Sequence, residues 1–235
     1  MNDPTRAQPR QWPHAKTLAF IVIGAMAAYV LYHNERFVVQ PNNPAWQHYE
    51  PFKWWLLPHI LAGTCTLLLA PLQFWDSLRN RFTTFHRITG AVYVASVFIA
   101  APLGAYIQYL VESQGASRSF TVGTIVFAGL LMTTTGLGLF FALKGMIAQH
   151  RQWMTRSYAV ALGFLEIRVI LGVTGLDEPF VWATVEMVFW ACVASSVLIG
   201  DIANQIHEYR SPRPRPVAAH PAHAPARAVA AAARA

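Results

Sequence analysis

Six stretches of this chain are too long and too apolar to lie in water: residues 17–32, 54–75, 88–111, 120–143, 153–176 and 180–202. A helix needs roughly 20 predominantly apolar residues to cross the hydrocarbon of a bilayer, because each residue adds about 1.5 Å. Charged residues make up only 12% of the chain, about half the share of a globular protein and too few to clothe a soluble surface. Two cysteines exclude a disulfide-stapled secreted domain. The net charge of +7 raises the question of nucleic acid. No basic patch interleaved with aromatics stands in a foldable soluble segment, so nucleic acid is excluded as a partner. The expected fold is all-α, a polytopic membrane bundle of six transmembrane helices whose main partner is the lipid bilayer.

The first stretch is the shortest and follows Arg6, Arg10 and Lys16, as in a signal peptide. No small-x-small cleavage site follows Tyr32, and an uncleaved first helix is the better reading. Orientation comes from Lys and Arg. Arg6, Arg10, Lys16, Arg79, Arg81, Arg87, Lys144, Arg151, Arg156 and the five arginines of the tail fall on one side of a six-span chain. The other side holds Arg36, Lys53 and Arg118. Fourteen against three places both termini in the cytoplasm, in a bacterial inner membrane. Trp46, Trp54, Trp55, Phe180 and Trp182 would then belt the outer interface, with Trp75 and Trp153 at the inner one. The chain divides into a cytoplasmic segment (1–16), a transmembrane domain (17–209) and a Pro/Ala/Arg-rich cytoplasmic tail (210–235) with no apolar face to bury, expected to be disordered.

Between helices in lipid, small and polar residues mark the packed faces. Three stripes have helical spacing: His59, Gly63, Thr66, Ala70 and Gln73; His86, Gly90, Tyr93, Val97, Ala101, Gly104 and Gln108; Gly129, Thr133 and Gly136. Cys65 and Cys192 lie mid-span among apolar neighbours, as inert thiols do. Ionisable groups at that depth are costly and tend to mark functional sites. Glu166 and Arg168 are two residues apart, so they point about 200° from one another, and the fifth helix must have protein around it. His59, Arg168 and Glu186 fall at similar depths, about 9–12 Å below the outer helix ends. That layer reads either as an Arg168–Glu186 ion pair with His59 hydrogen-bonded nearby, or as a pocket for a substrate, quinone or cofactor.

A second cluster falls at the cytoplasmic helix ends. His86-Arg87 opens the third helix and His150-Arg151 leads into the fifth. Two imidazoles from different helices can ligate one haem iron or two corners of a metal site, with Arg87 and Arg151 neutralising propionates. Ordinary interfacial residues account for the same pattern. Gly90, one turn on from His86, would leave room beside the helix. No H-E-x-x-H, nucleotide-binding loop or G-x-S-x-G elbow is present.

The run from His59 through Ala70-Pro71-Leu72-Gln73-Phe74, Arg79-x-Arg81, His86-Arg87-x-x-Gly90-x-x-Tyr93 and His150-Arg151-x-Trp153-Met154-x-Arg156 resembles a bacterial membrane family catalogued as domain of unknown function 2306. The resemblance spans about His59 to Arg168, with Ala70 where glycine is expected. It implies a shared helical core and no reaction. A looser similarity, to b-type cytochromes and ferric-reductase-like membrane proteins, implies haem b held by a histidine pair. His86 and His150 would make one such pair; His59 has no intramembrane histidine opposite it. Three functions follow as expectations: a haem-binding redox protein that handles quinol in the outer layer; a transporter or small-ligand binder lined by His59, Glu166, Arg168 and Glu186; or a structural partner of another membrane protein.

Overall fold

The computed structural model describes residues 13–40, 42–175 and 182–210, where the chain forms helices and short connections. The first helix, α1 (Pro13–His33), leads through a single 3-10 turn to the short α2 (Ala45–Tyr49). Then come α3 (Lys53–Gln73), the six-residue α4 (Asp76–Arg81), α5 (Thr83–Glu112), α6 (Arg118–Leu143), α7 (Ile147–Thr174) and α8 (Trp182–Arg210). Among the described residues, five helices are long and apolar enough to cross a membrane, and Thr17–His33 of α1 is a shorter apolar helix beside them. The protein is an all-α membrane bundle. The tail from residue 211, the segment before residue 13, Phe180 and the junction at 176–181 lie outside the described residues, as does the side chain of Trp182.

Helices outrun the apolar stretches that announced them. Residue 88 opens the third apolar run, yet α5 begins at Thr83; residue 153 opens the fifth, yet α7 begins at Ile147. Hydropathy marks the hydrocarbon, whereas backbone hydrogen bonding carries a helix on into the polar interface. The extension brings His86 and His150 into first turns. Both tight connections around α6 turn on a glycine in left-handed backbone, Gly115 (φ 103) and Gly145 (φ 72), where a Cβ would clash.

α5 packs between α3 and α6, and α7 packs between α6 and α8 while also touching α1 and α3. α7 therefore has protein on several sides, as its opposed charges require. The core joins Tyr93 and Val97 of α5, Phe127 and Leu131 of α6, Tyr158 and Val160 of α7, and Phe189 and Cys192 of α8. Lipid supplies no hydrophobic drive for this contact, so close approach must do it. A Cβ on Gly163 would come within 2.6 Å of the Phe127 ring, and one on Gly123 within 2.6 Å of Phe189. Of the α6 stripe expected to face inward, Gly136 is half-buried against Phe98 while Gly129 and Thr133 are exposed, and the buried face runs through Thr124, Leu131, Thr135 and Gly138. The connection between α1 and α3 folds into an aromatic cap. Phe37 stacks on Tyr49 at 4.9 Å and meets Trp46 edge-on at 5.1 Å, above buried Phe52 and Leu56. Trp54, Trp55 and Trp75 are exposed, as interfacial rings are.

Candidate functional site

Beneath that cap lies a cavity of about 170 Å³. α1, α3, α5, α6 and α7 all contribute to its wall, which is mostly apolar. Besides three threonines, three ionisable groups interrupt it: His59 of α3, Arg168 of α7 and Glu35, in the turn that follows α1. Exposed Leu31 of α1 and Leu68 of α3 lie on the same wall, so the cavity opens sideways between those helices toward lipid. An apolar pocket with a few converging polar groups is the usual form of a small-molecule site.

His59 is held in one orientation. Its Nδ1 lies 2.8 Å from the Ala100 carbonyl oxygen of α5. A carbonyl can only accept, so Nδ1–H donates and the neutral ring presents a lone pair on Nε2. Nε2 has no hydrogen-bond partner among the described residues. Gly104, one turn beyond Ala100, makes room for the ring: a Cβ there would stand 2.8 Å from His59 Cε1. The charge of Arg168 acts on both His59 and Glu35. Burial pushes the Glu35 carboxyl above the usual carboxylate range, and Arg168 pulls it back only in part. The cavity thus offers a lone pair, the cation of the exposed Arg168 and a carboxyl that readily takes up a proton.

The other residues of the expected layer are elsewhere. Arg168 and Glu186 form no ion pair among the described residues. Glu166 turns to a groove against α1, and half-buried Glu186 is absent from the cavity wall.

At the opposite end, Arg79, His150 and Arg151 each lie within electrostatic range of His86. Arg87 is exposed and is not in that set. His150 Nδ1–H donates to the Gly138 carbonyl at 2.8 Å; among the described residues its Nε2 is bare, and the buried His86 Nδ1 has no partner. The room expected beside Gly90 is taken. Gln73 fills it, its Oε1 3.3 Å from where a Cβ would stand, and its amide donates to Thr89. No group of three or more metal-binding side chains occurs among the described residues.

The family described as "Predicted membrane protein (DUF2306)" matches residues 56–203, more than half of the chain. The chain belongs to the DUF2306 family. No curated protein and no solved structure matches it. The match takes in α3 from Leu56 to most of α8, and with them His59, Arg168, His86 and His150. α1 and Glu35 of this DUF2306 protein lie outside it.

Sequence reasoning missed two features of the DUF2306 bundle. Glu35 stands beside Arg36 in a polar connection and reads as solvated; the fold half-buries it on the cavity wall. The second feature is a chain of hydroxyls through the core. Thr135 Oγ1–H donates to the Leu131 carbonyl at 2.7 Å. Its oxygen is then free only to accept from Ser157, 2.7 Å away, whose own oxygen accepts from the Tyr93 hydroxyl at 2.7 Å. Tyr93 was visible as a stripe residue; Thr135 follows two other threonines and Ser157 follows Arg156, so neither stood out from its neighbours.

Proposed function

We propose that this DUF2306 protein is a membrane binding protein for a small, flat, oxygen-bearing ring of the quinone class, held in the cavity between α1, α3, α5, α6 and α7. The observation that carries this reading is the bare Nε2 of His59 set beside Arg168 in an otherwise apolar cavity of about 170 Å³. A cavity near 150 Å³ accommodates a single six-membered ring. His59 accepts a hydrogen bond from a ring hydroxyl, and Arg168 donates to a ring oxygen. The lateral opening between Leu31 and Leu68 suits a ligand whose apolar tail stays in the bilayer. The Lys/Arg partition supports cytoplasmic termini in a bacterial inner membrane, which puts the cavity in the outer half.

A haem between His86 and His150 is the second reading. The bare His150 Nε2 and unpartnered His86 Nδ1 favour it; Gln73 in the space beside Gly90 opposes it. Dithionite-reduced spectra of protein expressed with ample haem separate the two, since reduced haem bands lost in His86→Ala would support the second.

The first reading is tested by titrating a short-tailed quinone into detergent-purified protein and following tryptophan fluorescence. Saturable quenching is expected. A hydrogen bond to a charged group is worth about 1.5–3 kcal/mol, so Arg168→Leu should weaken binding by about tenfold or more. Quenching that never saturates, or that Arg168→Leu and His59→Leu leave unchanged, would overturn it.

A further inference from the structure

We propose that Glu166 forms a second site, separate from the cavity: a carboxyl that holds and exchanges a proton within the membrane, in the groove between α1 and α7. The groove is lined by Leu18, Val22, Ile23 and Met26 of α1 and by Leu162 and Glu166 of α7. Leu18 and Val22 are exposed, so lipid has access to it. No cation faces the carboxyl among the described residues. Arg168, two positions on, belongs to the other side of α7 and lines the cavity. On α1 the described groove residues are apolar; on α8 the facing groups are the Cys192 thiol and the Ser195 hydroxyl.

The setting of Glu166 disfavours its ionised form. Ser195, whose hydroxyl donates to the Cys192 carbonyl at 3.1 Å, can offer it at most one proton. A carboxylate in that apolar groove lacks a counter-ion among the described residues, whereas the neutral acid needs none. The groove thus favours the protonated acid, and the lipid-side opening lets a membrane-soluble reagent reach it.

Dicyclohexylcarbodiimide reads this state. The acid proton passes to a carbodiimide nitrogen while the carboxyl oxygen bonds the central carbon; the O-acylisourea then rearranges to a stable N-acylurea. The expected result for the whole protein in lipid vesicles is an adduct mapped by peptide mass spectrometry to Glu166, distinct from any on Glu35 of the cavity and declining as the buffer is made alkaline. The adduct should be lost in Glu166→Gln and retained in Glu186→Gln. Glu166→Gln, a neutral mimic of the acid, should keep both its unfolding temperature and its quinone binding, which separates this site from the cavity. Wild-type protein unmodified at Glu166 in mildly acidic buffer, or modified equally at every pH, would overturn the proposal whether or not the variants fold.

Discussion

A single carbonyl determines what His59 offers the cavity. Ala100 takes the Nδ1 proton, and Gly104 leaves the ring the space to reach it. Gly104→Ala would set a methyl group 2.8 Å from Cε1, so the ring must turn and the Nε2 lone pair loses its aim. Ligand affinity should fall about tenfold while the unfolding temperature drops little; unchanged affinity would show that Nε2 makes no contact with the ligand. Glu35 makes a second prediction. Its folded pKa lies above the usual value because burial outweighs Arg168. The folded chain keeps a proton that the unfolded chain has already lost, so stability declines as pH climbs from the ordinary carboxylate range through the raised folded value, and levels off above it. Glu35→Gln should flatten that decline in unfolding scans. An identical decline in both proteins would mean that Glu35 is solvated. His59 and Arg168 were legible because a charged or imidazole side chain in an apolar run stands out. Glu35 was not, because its half-burial on the cavity wall comes from helices distant in sequence, a contact that local composition does not report.

At the level of helices, the hydroxyl chain between α5, α6 and α7 is the feature with the sharpest energetic consequence. Tyr93 is 1% exposed and Ser157 and Thr135 are fully buried. Ser157→Ala strips the Tyr93 hydroxyl of its acceptor and should cost about 1–3 kcal/mol in detergent unfolding. Adding Tyr93→Phe should recover part of the loss, because the stranded hydroxyl is then gone; a double variant as weak as the sum of both singles would deny the coupling. Another tie joins α7 to α8 where Arg156 meets Asp201 at 2.6 Å and the Asn204 amide donates to the Gln152 carbonyl at 3.0 Å. Helix existence was readable because the solvent is lipid and hydropathy follows directly from it. Helix faces were less so. On α6 the small residues Gly129 and Thr133 fit a packing stripe, yet the adjacent stripe through Leu131, Thr135 and Gly138 is buried. Glycine marks the possibility of close approach; the partner's bulk decides where it happens, as Gln73 does at Gly90.

For the whole molecule, topology and cavity stand or fall by separate measurements. With both native cysteines replaced, a reporter cysteine near Asn43 should label from outside the cell and one near Asn80 should not; the reverse pattern would invert the proposed orientation and leave the helix packing as it is. The bundle's architecture was legible from the apolar runs, and the division of polar groups among a cavity, a groove and a helix-end cluster was not. Depth along a helix can be counted from the sequence, but rotation depends on which neighbours press against it. That is why Arg168 and Glu186 share a layer without pairing. The central claim is that the cavity binds a quinone-class ring, and Gly63 gives the most direct test. It lines the cavity, and a Cβ there meets nothing within 4 Å. Gly63→Leu should therefore fill the void without strain. Titration calorimetry with a short-tailed quinone should show one saturable site in the wild type and none in Gly63→Leu, at an equal or higher unfolding temperature. Equal binding by the two proteins would contradict the account.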